Sequence, residues 1–326
     1  MSAGAMLQGF FKPMARTVGQ AVAVAGAVGA ISFFMTWALP GDAAYRIAAG
    51  RYGYDLVDSV AADAVRRELG LDQPLLQQLG RWLVDLLHLR LGNSMVSGDP
   101  VLEEVAHQLG HTLYLAAVAW GLALLMGLGL GLLAALRPGS WLARGIDTLA
   151  TLFKASPAFV SALLLSLLLA VHLQWMPAAG HGGPEHVLLP ALSVALALSA
   201  GLAQVTRTQL RAVLQSDYFE FALTKGLPMR AALWRHAARN VAVPVLAYMG
   251  VQLVLLVEGI VVVESFFAWP GIGHALVHAI IARDVPMIQA TALVMGLLFV
   301  LLNAVLDALH HRLDPRLRLQ AGGVTS

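Results

Sequence analysis

Six stretches of the chain run for roughly 18 to 25 residues almost free of charged side chains, the exceptions being Lys154 in the third and Glu258 and Glu264 in the fifth: about 18–39, 112–136, 148–171, 187–206, 240–264 and 285–306. An α-helix needs about 20 predominantly apolar residues to cross a hydrocarbon core about 30 Å thick. The pattern therefore predicts an all-α polytopic membrane protein with six transmembrane helices. The first stretch follows Lys12 and Arg16 and so begins like a secretion signal, but its uncharged run is longer than the roughly 7 to 15 residues of a cleavable one. It is read as a retained helix. Between the first two spans, about 40–110 is polar, with six Arg and ten acidic residues and amphipathic stretches near 61–69 and 74–87. This segment is expected to be a folded extracytoplasmic insertion in a single transmembrane domain over 1–326.

Composition agrees with the pattern: 58% of residues are hydrophobic and 12% charged, against about 25% charged in soluble domains. An ordinary soluble enzyme is excluded. There is no cysteine, which removes disulfide frameworks, thiolate metal sites and thiol catalysis. Aromatic and basic residues show no nucleic-acid-binding pattern, and the partner common to all six spans is membrane lipid. Neither a Gly-x-x-x-x-Gly-Lys phosphate loop nor a His-Glu-x-x-His run occurs. No catalytic residue and no directly bound cofactor is expected, so any ATP must be used by separate subunits.

Basic residues orient the spans, because Lys and Arg stay on the cytoplasmic side. With the N-terminus inside, the inner segments hold thirteen Lys and Arg, and the two short outer loops hold only Arg283. Both termini are expected to be cytoplasmic.

The inner segment at about 208–240 is too patterned for a connector. Asp217 can cap a helix with Glu220 reaching back to it, Gly226 supplies a left-handed stop, and Pro228 suits the first turn of a second helix through Arg239. Phe219, Phe221, Leu223, Leu227, Leu233 and Trp234 would then face water. Two readings are open: a docking face for a cytoplasmic partner, or an amphipathic hairpin on the lipid headgroups.

The stretch DYFEFALTKGLPMRAALWRHAARNVAVPVL resembles the coupling loop of binding-protein-dependent ABC importer permeases, whose Glu-Ala-Ala-x-x-x-Gly core enters a groove on an ATPase. Glu220, Phe221, Ala222 and Gly226 stand at those places, with Phe221 departing from alanine. PGD at 40–42, GLDQPL at 70–75, LGNSMVSGDPV at 91–101, ESFFAWPGIG at 264–273, RDVPMIQ at 283–289 and LDPRLR at 313–318 resemble the peptide and nickel permeases in order. The loop from Leu173, LQWMPAAGHGGPEHVLLPALS, looks most like nickel import permeases. The resemblance implies a type I ABC importer permease in a bacterial inner membrane, forming half of a path for nickel or a metal chelate, with di- or oligopeptides as the alternative cargo. It also implies a second homologous permease, two cytoplasmic ATPases and an extracytoplasmic substrate-binding protein. Asp217, Glu220, Phe221, Ala222, Gly226, Leu227 and Arg230 become the expected ATPase-coupling residues. A self-sufficient secondary carrier is the competing class, but the inverted repeats it would carry are not found.

Polar residues inside spans cost roughly 2.5–3.5 kcal/mol when charged near the bilayer centre. Glu258, with Gln252 below it, is the leading path candidate, and Glu264 and Trp269 stand at the outer gate. Lys154 can snorkel inward, and Asn303 and Asp307 suit helix packing. Eight of eleven histidines lie outside or at outer span ends. The four-residue spacings of His107 with His111 and His274 with His278 place imidazoles on one helix face. The first pair is read as interfacial; the second is kept as a candidate for transient contact with a metal or metal chelate, which spacing alone does not establish.

Overall fold

A computed structural model describes residues 17–31, 41–53, 57–68 and 90–313, with isolated positions at 34, 73–74, 77, 80, 84 and 88. Twelve α-helices are used below: α1 (Thr17–Ile31), α2 (Ala43–Tyr52), α3 (Ser59–Glu68), α4 (Val101–Leu136), α5 (Trp141–Ala155), α6 (Ala158–Leu165), α7 (Leu188–Leu214), α8 (Asp217–Thr224), α9 (Met229–Ala232), α10 (Ala238–Phe266), α11 (Ile272–Ala282) and α12 (Val285–Leu313). Among the described residues the regular structure is all helical apart from an isolated bridge between Asn93 and Pro100. The chain divides into two compact units, residues 1–112 with 270–301 and residues 113–269 with 302–326.

In the first unit, the PGD motif starts α2: the Asp42 carboxylate accepts from the Ala44 N–H at 2.9 Å, satisfying a donor the helix leaves orphaned. The helix stops at Gly53, whose φ of 90° is open to glycine. Ala44, Ile47 and Ala48 of α2 close on Val65 of α3. Arg51 pairs with Glu68 at 2.9 Å across the same two helices, but an ion pair this exposed contributes less than about 1 kcal/mol. The apolar seam holds them. The segment LGNSMVSGDPV folds back on itself, Ser94 N–H to the Asp99 carbonyl at 2.9 Å and Val101 N–H to the Gly92 carbonyl at 3.1 Å, and delivers the chain into α4. Val101 and Val105 then pack with Ile272 and Ala279 of α11 and Met287 and Ile288 of α12.

In the second unit α7 is the central helix, with 72% of its apolar window buried against 28% for α4 and 24% for the start of α10. The last two leave most of their apolar surface uncovered by this chain. Close packing depends on missing side chains: a Cβ on Gly127 would lie 2.8 Å from the Leu202 side chain, and one on Gly131 would lie 2.7 Å from the Ala203 carbonyl oxygen. At Gly201 the Tyr248 hydroxyl occupies the position a Cβ would need.

Among the described residues, four helices are long and apolar enough to span: α4, the 184–214 segment that includes α7, the 240–257 part of α10, and α12. The third expected span, 148–171, is not straight. Its chain turns by 115° between α5 and the helix from Ala158 to His172. The cause is Pro157, which lacks a backbone donor and drives Ser156 into extended backbone at φ −89°, ψ 133°. Counted as one broken span, the pair makes five. The first expected span is described only over α1 and Phe34, and the rest of 18–39, with GLDQPL at 70–75 apart from Gln73 and Pro74, most of 74–87 and LDPRLR beyond Leu313, lies outside the described residues. Helices also overrun their expected ends, α4 beginning at Val101 and α7 running on to Leu214.

Candidate functional site

The inner loop is built in the second unit by α8, a tight stop and α9. Ser216, in extended backbone, is the residue before α8, so Asp217 is the first helical residue and not the cap; the Ser216 hydroxyl donates back to the Val213 carbonyl. Asp217 and Glu220 both lie in the first turn, where a carboxylate meets the positive end of the helix dipole. The stop is as expected. Gly226 has φ +83°, its N–H donates to the Leu223 carbonyl at 2.9 Å and the Leu227 N–H to the Ala222 carbonyl at 3.3 Å, the paired bonds of a Schellman motif. Pro228 precedes α9 in extended backbone. The second helix does not end near Arg239: α9 passes through a π-turn at Leu233–Ala237 directly into α10.

Packing divides the apolar residues expected to face water. Phe219 is 1% exposed, in a core with Leu210, Val213, Ala232 and Ala237, while Leu223, Leu227 and Leu233 are half-buried against it; Ala222 is also buried. Phe221 (60%) and Trp234 (81%) remain exposed, joined by Tyr218 and Met229. The Lys225 ammonium sits 4.5 Å over the Phe221 ring. Glu220 and Arg230 are exposed on the same loop. The surface left is aromatic with mixed charge.

The path candidates lie in the same unit. Gln252 is buried and donates to the Leu198 carbonyl at 3.1 Å, tying α10 to α7. The side chain of Glu258 lies outside the described residues. Glu264 is fully buried and its carbonyl accepts from the Trp269 N–H at 2.9 Å; Trp269, 3% exposed, stacks on Tyr114 at 6.3 Å. These two are enclosed in the core around Val263 and Phe267. Sequence reading missed Arg207 paired with Asp147, since the two are far apart in the chain and belong to different spans.

The histidine pair lies in the first unit, on α11. Pro270 and Gly271 lead into α11, whose first N–H, at Ile272, donates to the buried Thr112 hydroxyl at 2.9 Å. The rings of His274 and His278 meet edge to face at 4.4 Å. Burial, and then the neighbouring His278, hold His274 below the usual imidazole pKa. Both rings line a cavity of about 480 Å³ with Glu104, Gln108, Ser94 and Asp284. Sequence reading missed the last four as one site; the four-residue spacing of Glu104 and Gln108 was its one visible trace. No set of three His, Asp or Glu side chains capable of holding a metal occurs among the described residues. His107 and His111 face each other separately, Nε2 to Nε2 at 3.3 Å.

Comparison with known proteins fits this architecture. Residues 127–319 match the family described as binding-protein-dependent transport system inner membrane component, and residues 10–116 match the N-terminal region of such membrane components. A putative peptide transport system permease protein of Brucella abortus (strain 2308) is 38% identical over 311 residues, 93% of this chain and 98% of its own length. The glutathione transport system permease protein GsiC of Pectobacterium atrosepticum is 37% identical over 286 residues, 88% of this chain and 92% of its own. Among solved structures, the inward-facing MetNI methionine ABC transporter aligns at a TM-score of 0.56 and 14% identity, covering 66% of this chain and 98% of its own. An amino acid ABC transporter aligns at 0.53 and 17%, covering 65% and 94%; these two share the fold. The chain belongs to the binding-protein-dependent ABC transport permeases, multi-pass inner-membrane proteins that are not themselves catalytic.

Proposed function

We propose that the chain forms half of a translocation path for short peptides. It works beside a second permease of the same family, two cytoplasmic ATPases that use the ATP, and an extracytoplasmic binding protein. The observation that carries the cargo is 38% identity over 93% of the chain to a protein described as a putative peptide permease, supported by the glutathione permease. The nickel reading rests on one outer loop, the outward bias of the histidines and Glu258 as a carboxylate within a span. Those relatives match along nearly the whole chain, and His274 and His278 have no third metal ligand among the described residues.

Both termini lie in the cytoplasm, on the strength of thirteen basic residues in inner segments against one in short outer loops. The exposed Tyr218, Phe221, Met229 and Trp234, flanked by Glu220 and Arg230, then face the ATPase. ATP closure moves this loop and the spans move with α10, into which α9 continues.

Uptake of radiolabelled dipeptides, glutathione and nickel into cells with and without the chain tests the reading. Peptide uptake should fall while nickel uptake holds. Loss of nickel uptake alone would return the assignment to metal.

A further inference from the structure

The cavity beside His274 and His278 has a lopsided hydrogen-bond inventory. The Gln108 amide donates to Glu104 Oε1 at 3.3 Å. Glu104 Oε2 and Gln108 Oε1 are both shielded and receive no hydrogen bond. The other carboxylate, Asp284, is already committed: it accepts from the Ser94 hydroxyl and from the Met95 N–H at 3.1 Å. Two carboxylates and two imidazoles thus face the space, and none of its described lining residues is Lys or Arg. A shielded acceptor without a donor is costly, and carboxylates with no basic neighbour in the wall leave the cavity attractive to a cation.

The chemistry of the walls narrows which cation. Val96, Ala275, Ala279, Ile281, Ala282 and Met287 make most of the lining apolar, which suits an ion attached to an organic body over a hydrated metal ion. A metal would also need three good ligands, and the described residues offer no such set. A cation carrying several N–H donors answers the two free oxygens directly. We infer that this cavity binds a primary ammonium group, with Glu104 as counter-ion and the Gln108 carbonyl and the His274 and His278 ring nitrogens as further acceptors. Assigning the ammonium to the amino terminus of a short peptide rests on the peptide reading above; the ammonium site itself does not.

The test uses the full chain in lipid nanodiscs with labelled histidines, following the His274 and His278 imidazole resonances, assigned through His274→Asn and His278→Asn. Glycylglycine should shift both saturably, and N-acetylglycylglycine, which lacks the ammonium, should bind at least about tenfold more weakly, as should glycylglycine with Glu104→Gln. Equal response to the two peptides, or none to either glycylglycine or butylammonium, overturns the site. Should Glu104→Gln not fold, the acetylated comparison on the wild-type chain decides alone. Butylammonium binding in a chain whose loss spares peptide uptake would leave the ammonium site standing and sink the peptide reading. Peptide uptake without any shift would do the reverse.

Discussion

The Ser94 hydroxyl donates to the Asp284 carboxylate across 190 positions of sequence. The bond joins the LGNSMVSGDPV and RDVPMIQ segments. The same carboxylate accepts from the Met95 N–H at 3.1 Å and the Met287 N–H at 3.4 Å, so it closes a loop and caps the first turn of α12 together. Beside it, Arg283 holds a left-handed φ of 57° and donates to the Gly41 carbonyl at 2.9 Å. The PGD segment is thereby drawn to the same junction.

Removing the carboxylate should therefore cost more than one surface contact. Asp284 is 3% exposed, and Asp284→Ala leaves a buried hydroxyl and two N–H groups without their acceptor. We expect a loss of about 1–3 kcal/mol per stranded group at most, and less with Asp284→Asn, which keeps one oxygen. Thermal unfolding of the full chain in detergent measures it. An unchanged midpoint for Asp284→Ala would show that the junction carries no stability.

Much of this was legible in the sequence, and the reason for each failure is physical. Charge-free runs reveal spans because lipid penalises charge position by position, so α4, α7, α10 and α12 were visible. The break at Ser156–Pro157 lay in plain sight, but an apolar run does not say whether a proline kinks a helix or turns it through 115°. Gly226 was readable because its left-handed backbone selects glycine. Phe219 was misread as surface because helical periodicity cannot tell an apolar face that meets a partner from one that meets Leu210 and Val213. The cavity of Glu104, Gln108 and His274 was readable only as two separate four-residue spacings, Glu104 with Gln108 and His274 with His278, since it joins α4 to α11 from segments far apart in the chain.

Helix packing gives a paired test. Gly131→Ala puts a Cβ 2.7 Å from the Ala203 carbonyl oxygen, whereas a Cβ on Gly129 would meet nothing within 4 Å. The first should destabilise by about 1–3 kcal/mol, as overpacking does. The second should be neutral or stabilising by up to about 1 kcal/mol through lower backbone freedom in the unfolded chain. Comparable unfolding midpoints for the two variants would refute the close approach of α4 and α7.

Acid should weaken the first unit through His274. Its pKa is lowered in the fold, chiefly by burial, so the unfolded chain takes up the proton first as pH falls. The contribution is fully present above the unfolded value of about 6.5 and is lost as pH drops from there toward the lower folded value. His274→Asn should flatten that part of the stability curve. Glu104, whose pKa burial raises, works in the opposite direction, so the comparison of variants decides: a slope between about pH 7 and 5 that is unaltered in His274→Asn contradicts the assignment.

Coupling should depend on the shape of the inner loop as much as on its exposed side chains. Gly226 sits at φ +83° with open space around a Cβ, so Gly226→Val meets no clash, only the left-handed penalty of about 1–2 kcal/mol. The strain falls on the two bonds that close α8, to Leu223 and Ala222. Relieving it re-aims α9, which runs on into α10, and carries Trp234 with it. Phe221→Ala keeps the backbone and removes an aromatic contact that is 60% exposed in the isolated chain. It should therefore spare folding altogether. Both variants should insert in the membrane at wild-type levels while peptide uptake falls severalfold, with substrate-stimulated ATP hydrolysis by the assembled complex falling in parallel. Wild-type uptake in both would mean that this surface does not meet the ATPase, and the headgroup reading of the hairpin would take its place.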